Sequence, residues 1–496
     1  APDSLPLFPM VDPEFLSADT LVHVKKNPIG PKLLDHITQY NASIGNTLDS
    51  SVLKRLKDGA GLIIAGQQPG LLMGPMYTFW KLLTAVNLSR KLNRIKGFNT
   101  VPAFWIASED HDIIEVNRAE LFSKKIIAEP GFKTVSGSMP PVGLISLEEF
   151  RHELLGFLGE TLPDNTWKKW LAETVAECDF TSYSRFFATL AAELFKDWGV
   201  IFLDAMELHR FTMPNLAEVL PGFHGLQTEL VNGGQRLIEL GYKPPLTDAG
   251  VFEILEGEVK ARMKCHITED GFRYSEGVIS LTEAADLIRQ MPQRFSTGAA
   301  LRPVVQDMTL PVISTICGPS EMLYLWQIDG IYKRLGVVRS KLMPRIHGTI
   351  LPSRAERMLV KAGGIEGVFT DNGPGPDLSS EDMSDLAELH ELAADLTNQL
   401  AELSDIDPRM KNRAVRSVEH HVNKIVRSVS VRRKEQSDSG YKQRQRLREM
   451  AMPGGKPQER VIGLLEILAQ WGRQWLKQVR EEISVSNTGH RVIIVK

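Results

Sequence analysis

The chain has 496 residues, more than one compact core ordinarily holds, so we expect a main domain with insertions or appendages. Its net charge of −3, with 43% apolar and 24% charged residues, excludes a global attraction to nucleic acid or to an anionic membrane. The three cysteines lie far apart, which argues against disulfides and a zinc knuckle and predicts a cytoplasmic protein. We also expect no membrane span, because no run of eighteen apolar residues occurs, and no signal peptide.

Four short apolar runs, each ending in polar residues, predict strands buried on both faces, as parallel sheets require. A helix is predicted over residues 77–92, with Pro75 at its first position, and another over 321–335, with Ser320 as its N-cap and Gly336 as its end. Strand–loop–helix units in series predict an α/β fold built on a doubly wound parallel sheet. The strands are expected at residues 62–65, 101–107, 200–203 and 311–317.

Two intervals between these units are too long for single crossover helices. We interpret residues 121–181 and 211–300 as insertions, the second with small antiparallel strands at 251–255 and 272–274. A turn at 452–455 is expected to lead into a last helix over about 458–482 and a closing strand at 492–495. The core domain would then comprise residues 1–120, 182–210, 301–378 and 450–496.

Residues 379–449 have the apolar spacing of a coiled coil, in two runs separated at 405–408, which predicts an antiparallel helical hairpin. Residues 381–407 carry nine acids and no Lys or Arg, whereas 409–448 carry thirteen Lys or Arg and three acids, so the two helices attract each other. We predict a homodimerisation arm; the alternative is a solvated hairpin packed on its own body. The apolar positions are Leu386, Leu389, Ala393, Leu396, Leu400 and Leu403, then Val415, Val418, Val422, Ile425 and Val429.

The glycine segment, residues 66–74, follows the first predicted strand. Its glycines let backbone N–H groups approach a ligand closely, and the helix that begins near Pro75 offers a positive N-terminus to an anion. Its two glutamines are suited to hydrogen-bond a ligand; the alternative is a tight strand-to-helix turn that needs glycine. The candidate binding residues are Gly66, Gln67, Gln68, Gly70, Gly74 and, about two turns into the helix, Lys81.

The acidic cluster, Glu109 to Asp112, follows the second predicted strand. Its three carboxylates beside one imidazole, with Glu115 nearby, predict raised carboxylate pKa values through repulsion and a raised pKa of His111 through attraction. Such a cluster can supply a proton-transfer group near neutral pH. The alternatives are a Mg²⁺ site used with nucleotide phosphates and an exposed acid cluster at a helix start. The candidate catalytic residues are Glu109, Asp110, His111 and Asp112.

Further polar side chains surround the end of the fourth predicted strand. Cys317 is predicted to be a buried strand-end cysteine and not a nucleophile, because no spacing links it to a base. Arg345 follows another short apolar stretch that is expected to face the same crevice. The candidates for substrate binding here are Arg302, Asp307, Gly318, Glu321, Tyr324, Gln327 and Arg345.

Together these motifs resemble the family of the bacillithiol biosynthesis cysteine-adding enzyme (BshC), a family of cysteine ligases. The resemblance is spread over most of the chain, and the motifs after the first two strands are fairly specific. It rests on residues 66–71 with Gly74, Pro75, Tyr77 and Lys81; on 104–107, 109–112 and 115–117; on 294–296 and 301–303; on Gly318, Pro319, Glu321, Tyr324 and Gln327; and on 457–460.

The resemblance implies a Rossmann-like core with two connecting-peptide insertions and a coiled coil that dimerises. It implies addition of cysteine to glucosaminyl-malate, which completes bacillithiol, and it adds Tyr77 and Asn117 to the candidate substrate-binding residues. Because a carboxylate is a poor electrophile, we expect ATP as its activator, with Mg²⁺ as a further possibility. His111 is the expected base for the glucosamine ammonium, and Lys81 and Arg302 are expected to assist by charge.

Two other classes of function stay open. One is a nucleotide-dependent transferase, or a relative of class I aminoacyl-tRNA synthetases, although residues 339–342 match the KMSKS loop of that class poorly. The other is a non-enzymatic coiled-coil adaptor or an RNA binder that uses the basic residues 409–448. Because the acidic residues 381–407 would neutralise these basic residues, we expect no nucleic-acid partner. The expected partners are small-molecule substrates and a second copy of the chain, and no membrane.

Overall fold

The computed structural model describes residues 28–128, 138–256, 260–361, 441–485 and 490–495, together with 388, 391–400, 410, 412–418, 420–422 and 424. The chain forms two compact units. The first comprises residues 1–348 and 459–491, and the second comprises residues 349–458 and 492–496. All the predicted site residues belong to the first unit.

Strands and helices alternate along much of the chain, as the sequence predicts. The strands are β1 (Gly61–Gln67), β2 (Thr100–Ile106), β3 (Arg118–Leu121), β4 (Lys124–Ile127), β5 (Ile201–Asp204), β6 (Val251–Leu255), β7 (Ala261–Thr268), β8 (Gly271–Tyr274), β9 (Gly277–Ile279), β10 (Phe295–Thr297), β11 (Val312–Cys317), β12 (Lys341–Pro344), β13 (Gly348–Pro352) and β14 (Arg491–Val495). The helices are Pro31–Ser43, Ser50–Lys57, Met76–Leu92, Ile113–Val116, Arg151–Thr161, Thr166–Ala176, Tyr183–Phe195, His209–Val219, Phe223–Glu239, Leu281–Gln290, Arg302–Thr309, Pro319–Gln327, Asp329–Leu335, Arg354–Lys361, Tyr441–Ala451, Leu464–Trp471 and Gln474–Glu482.

The central sheet is parallel and has the strand order β12-β11-β1-β2-β5. The chain runs outward from β1 to β5 and returns on the other side of β1 with β11 and β12, so the strand order reverses between β1 and β11. In an open α/β sheet, ligands bind in the crevice beyond the carboxyl ends of the strands at such a reversal. The four predicted strands are confirmed, and β12 is the short apolar stretch before Arg345.

Both faces of this sheet are covered, which explains why its strands are almost wholly apolar. Leu62 and Ile64 of β1 share one core with the helices Pro31–Ser43 and Ser50–Lys57. Phe104 of β2 points to the opposite face, where its ring stacks on that of Phe187 at 5.7 Å between centroids. The doubly wound prediction is confirmed.

A second, antiparallel sheet is built from the segment 251–297, in the order β10-β6-β7-β8-β9. It contains the two small strands predicted at 251–255 and 272–274. Its buried face packs with the helices His209–Val219 and Leu281–Gln290 in one core. The predicted insertions 121–181 and 211–300, with the other domain boundaries, stay a prediction.

Three details of the predicted helices are wrong: one N-cap residue, and the continuity of two helices. Gly318, not Ser320, precedes the helix Pro319–Gln327, because Pro319 fixes the first helical position. The helix predicted over 321–335 is two helices that meet at Ile328, although Gly336 ends the second as expected, in a left-handed conformation. The last helix is likewise two helices, divided at Gly472, whose φ of 72° lies in the region that glycine adopts readily.

The second unit has a small apolar core of its own. The helices Arg354–Lys361 and Tyr441–Ala451 pack through Leu351, Ala355, Leu447 and Ala451. Residues 391–400 and 412–418 of the predicted coiled coil are helical. The break at 405–408, and Leu386, Leu389, Leu403, Ile425 and Val429 of its predicted seam, lie outside the described residues.

Candidate functional site

A cavity of about 600 Å³ lies beyond the carboxyl ends of β1, β2, β11 and β12. The second sheet supplies a further wall through Phe252, Arg262 and Thr297. Thirteen of the nineteen residues predicted for the site line this cavity. They are Gly66, Gln67, Gln68, Tyr77, Lys81, Glu109, Asp110, His111, Arg302, Gly318, Glu321, Tyr324 and Arg345.

A hydrogen bond joins the glycine segment to the acidic cluster. Gln68 Nε2 donates to Asp110 Oδ2 at 2.7 Å, because β1 and β2 are neighbours in register and end together. At Gly66 a Cβ atom would lie 3.3 Å from the Cβ of Trp105 on β2, so the neighbouring strand already explains the glycine. The two segments therefore form one continuous wall of the cavity.

Gly70 and Gly74 lie outside the cavity lining, where they pack against each other. A Cβ on Gly70 would lie 3.0 Å from the Cα of Gly74, whose own φ is 62°. The helix Met76–Leu92 begins next to the segment 462–463, and the Met76 N–H donates to the Ile462 carbonyl at 2.9 Å. Since that amide is already used, the helix start gives less support to anion binding than the sequence suggests.

Lys81 lines the cavity but is held by the protein itself. Its ammonium lies 2.6 Å from a carboxylate oxygen of Glu321 and donates to the carbonyl of Gly66 and to Gln67 Oε1 at 2.9 and 2.7 Å. Glu321 also accepts a hydrogen bond from the backbone N–H of Gly318 at 2.7 Å, and so caps the start of the helix Pro319–Gln327. Lys81 therefore ties β1 to the end of β11.

The acidic cluster is divided between the interior and the surface. Glu109 is buried and paired with His209 at 3.0 Å, whereas Asp112 is exposed and lies outside the lining. The alternative of an exposed acid cluster at a helix start therefore fits Asp112, which directly precedes the helix Ile113–Val116, but not Glu109. Asn117 also lies outside the lining, at the end of the helix Ile113–Val116.

Two pKa shifts test the expectation for the acidic cluster. The pKa of Glu115 is raised by burial and by Asp112 and Asp110, in the predicted direction. The pKa of His111 is lowered, contrary to the prediction, because burial and the guanidinium of Arg262 outweigh the two aspartates. The sequence shows the carboxylates next to His111 but not the cation that faces it.

The guanidinium of Arg302 lines the cavity and makes weaker contacts with the protein than Lys81, Arg262 and Arg345 do. It contacts only neutral oxygens, Gln306 Oε1 at 3.3 Å and the Tyr324 hydroxyl at 3.4 Å, and no ion pair links it to another described residue. Burial and the nearby Arg302 guanidinium act on Tyr324 in opposite senses, and burial prevails and raises its pKa to about 12. Tyr324 is therefore a neutral hydroxyl.

Asp307 and Gln327 lie outside the cavity lining and hold the fold together. Asp307 accepts from the Tyr332 hydroxyl at 3.1 Å and from the Ser340 N–H at 3.0 Å. Gln327 bonds the backbone of Leu246 in both directions, at 2.8 and 3.1 Å. Both side chains are fully buried.

Arg345 is buried by a bidentate pair with Glu459, at 2.6 and 2.8 Å. His347 and the Gly348 N–H bond the same carboxylate, and Arg345 with His347 holds the pKa of Glu459 far below its usual range against the effect of burial. The next residue, Arg460, is exposed at the cavity and makes no ion pair or hydrogen bond with any described residue.

Cys317 is buried at the end of β11, and burial raises the pKa of its thiol, as expected for a cysteine that is not a nucleophile. Among the described residues, no group of three or more His, Cys, Asp or Glu is arranged to hold a metal ion. In the same part of the chain, no helix is long and apolar enough to cross a membrane.

Sequence reasoning missed three residues of the site, Arg262, His209 and Arg460. Arg262 and His209 reach the acidic cluster from 151 and 100 residues away along the chain, so local pattern gives no signal for them. Arg460 could have been found from the sequence, because it belongs to the family motif at residues 457–460.

Two family models match the chain. The Rossmann-like N-terminal domain of bacillithiol biosynthesis BshC matches residues 15–346, and its C-terminal coiled-coil domain matches residues 383–495. The chain belongs to the BshC family. All the cavity residues named above fall within the first BshC domain except Arg460, which falls within the second.

Curated BshC relatives support this assignment over most of the chain. A relative from Bacillus cytotoxicus, named "Putative cysteine ligase BshC", is 25% identical over 93% of this chain and 90% of its own. The protein of the same name from Staphylococcus carnosus is 29% identical over 69% of this chain and 66% of its own. A solved structure described as an arginyl-tRNA synthetase, from Campylobacter jejuni, aligns with a TM-score of 0.23 and 10% identity, too low to carry an argument.

Proposed function

We propose that this chain is a ligase that forms an amide between the carboxyl group of cysteine and the amine of glucosaminyl-malate, as the last step of bacillithiol biosynthesis. The BshC family models support the pathway, and the names of the relatives from B. cytotoxicus and S. carnosus support the type of bond. The geometry of the cavity supports the chemistry of the two substrates.

The observation that carries the proposal is that one cavity offers charges of both signs on different walls. Asp110 and Glu115, after β2, offer carboxylates to the ammonium groups of the two substrates. Arg302, at the start of a helix on another wall, offers terminal nitrogens that now make only long bonds to neutral oxygens. A malyl carboxylate would give that guanidinium a stronger, charge-assisted partner.

An amide cannot form from a free carboxylate and an amine without activation, and we propose ATP as the consumed activator. The residues present fit an anionic co-substrate, because Arg460 stands exposed at the cavity and is unpaired among the described residues. Lys81 fits less well, since Glu321, Gly66 and Gln67 already occupy its ammonium. Arg460 and Arg302 are therefore the residues that would meet the phosphates or carboxylates.

The test is mass spectrometry of a reaction with the full chain, glucosaminyl-malate, cysteine and ATP, from which each component is omitted in turn. We expect a product equal in mass to the two substrates less one water, and we expect it to vanish with each omission. The nucleotide product would report the activation step, since ADP indicates an acyl-phosphate and AMP an acyl-adenylate. Absence of product in the complete mixture, from protein that unfolds cooperatively, would rule the proposal out.

A further inference from the structure

The hydrogen bond between Arg262 and His111 fixes which imidazole nitrogen carries the proton. Arg262 Nη1 lies 3.0 Å from His111 Nδ1. A guanidinium has N–H donors and no acceptor, so Nδ1 must be the unprotonated nitrogen. In a neutral imidazole the other nitrogen, Nε2, then carries the hydrogen.

Asp110 is the one competing partner for Nδ1 among the described residues. Its Oδ1 atom lies 3.6 Å from His111 Nδ1, which is too long for a hydrogen bond. The same oxygen already accepts the backbone N–H of His111 at 2.7 Å. The aspartate therefore holds the backbone of His111 and leaves the ring to Arg262.

Arg262 is held rigidly enough to impose this choice. Its Nε donates to Ser296 Oγ at 3.0 Å, and its Nη2 donates to the carbonyl of Thr297 at 2.8 Å. Its guanidinium carbon lies 4.1 Å from the centre of the Phe252 ring, a cation–π distance. Arg262 is also only 5% exposed, so the second sheet delivers a fixed donor to the acidic cluster of the first.

His111 Nε2 makes no hydrogen bond with any described residue, and His111 lines the cavity. We propose that His111 offers its Nε2–H group to an oxygen of the bound substrate as a hydrogen-bond donor, and that Arg262 is the positioning residue that fixes this tautomer. The donor role rests on the proposed ligase activity, in which carboxylate and acyl oxygens are the acceptors. It replaces the base role expected from the sequence.

Burial and the facing guanidinium favour the neutral imidazole that this role requires. Burial and Arg262 lower the pKa of His111, and Asp110 and Asp112 oppose them. A second proton on Nδ1 would point at the guanidinium, which can only repel it. A neutral N–H group can donate to an oxygen on which negative charge develops without first losing a proton.

The first experiment reads the tautomer directly and needs no turnover. In the full chain labelled with ¹⁵N-histidine, the signals of His111 are those lost in His111→Gln. We expect the Nε2–H pattern of ¹⁵N shifts in the wild type, and a mixture of tautomers with a higher titration midpoint in Arg262→Met. An Nδ1–H pattern in the wild type, or an unchanged pattern in Arg262→Met, would overturn the assignment whether or not the protein is a ligase.

The second experiment separates a donor from a base. The side-chain N–H of Gln can stand in for Nε2–H but cannot take up a proton, whereas Ala does neither. We expect His111→Ala to lower kcat by about a hundredfold, as the loss of one transition-state donor does, and His111→Gln to recover at least a tenth of the wild-type value. Equal loss in both variants, or no loss in either, would refute the donor role, provided that both unfold at the wild-type temperature. No turnover by the wild type would count against the ligase and leave the tautomer result standing.

Discussion

Lys81 shows how one buried side chain can hold the walls of a cavity together. Its ammonium, 4% exposed, is bonded to Glu321 and to two oxygens of the β1 end. Because each of these oxygens belongs to the cavity wall, the lysine sets the position of the wall itself. Removal of such a partner leaves a carboxylate and two polar oxygens poorly solvated.

We therefore expect Lys81→Met to lower the free energy of unfolding by about 3 kcal/mol, the cost of leaving one half of a buried ion pair. The matched control is Lys169→Met, since Lys169 pairs with Glu173 on the surface, with exposed fractions of 84% and 61%. That pair should contribute less than about 1 kcal/mol. Urea unfolding of the three proteins measures both values, and similar losses in the two variants would contradict a structural role for Lys81.

At the residue scale, the sequence predicted the cavity residues at the ends of the parallel strands and in the helices beside them, and missed the residue contributed by the second sheet, Arg262. Gln68 and Asp110 could be foreseen because neighbouring parallel strands end at the same edge of a sheet. Arg262 could not, because its position depends on how the second sheet packs against the first. The predicted direction of the His111 pKa shift was wrong because Arg262, which helps to lower this pKa, is also contributed by the second sheet.

At the scale of elements, Asp307 joins three of them. It lies in the helix Arg302–Thr309, accepts from Tyr332 in the helix Asp329–Leu335, and accepts from Ser340 just before β12. Burial raises its pKa to about 6, although these two donors and Arg302 oppose the shift. Its other carboxylate oxygen, Oδ1, has no partner among the described residues.

This raised pKa predicts a loss of stability with rising pH. An unfolded Asp titrates near 3.9, so the folded state binds the extra proton between about pH 4 and pH 6, and ionisation of the buried group weakens folding over that range. Asp307→Asn mimics the protonated side chain, so we expect its melting temperature to exceed that of the wild type at pH 7 and the difference to shrink toward pH 4. Melting curves against pH test this, with the exposed Asp286→Asn as control. A parallel pH dependence in wild type and Asp307→Asn would be contrary to it.

The strands of the parallel sheet were predicted more accurately than the helices that are divided in two. The strands of the parallel sheet are continuous apolar runs, as a sheet buried on both faces requires. The two divided helices were not foreseen, since Ile328 carries no breaking signal and a single glycine such as Gly472 is a weak one. Glycine costs a helix only about 1 kcal/mol, so tertiary packing decides whether the helix ends there.

At the scale of the whole molecule, dimerisation through the coiled-coil domain stays a proposal. Leu396 is 46% exposed and Val422 is partly exposed on the described helical residues, and both belong to the predicted seam. Apolar seam positions on a charged helix favour burial against another helix. A second copy of the chain is the partner that the sequence predicts.

Placing lysine at both Leu396 and Val422 should therefore halve the mass found by sedimentation equilibrium, because two charges would be buried in each half of the seam. Asn398→Lys, at an exposed position outside the seam, should leave the mass unchanged. If the double variant keeps the wild-type mass, the interface lies elsewhere. A wild type that is already monomeric would exclude dimerisation by any surface.

The bond between Gly348 and Glu459 bears on how this protein can be divided. The Gly348 N–H lies 3.2 Å from a carboxylate oxygen of Glu459, so the intervening 110 positions leave the first unit and return to it at adjacent points. Truncation of the chain after residue 348 would remove Glu459 and leave the buried guanidinium of Arg345 without its carboxylate partner. A short turn spliced from 348 to 459 would keep that pair, together with Arg460 at the cavity. Along the sequence, most of the second unit is therefore an insertion between residues 348 and 459 of the first unit.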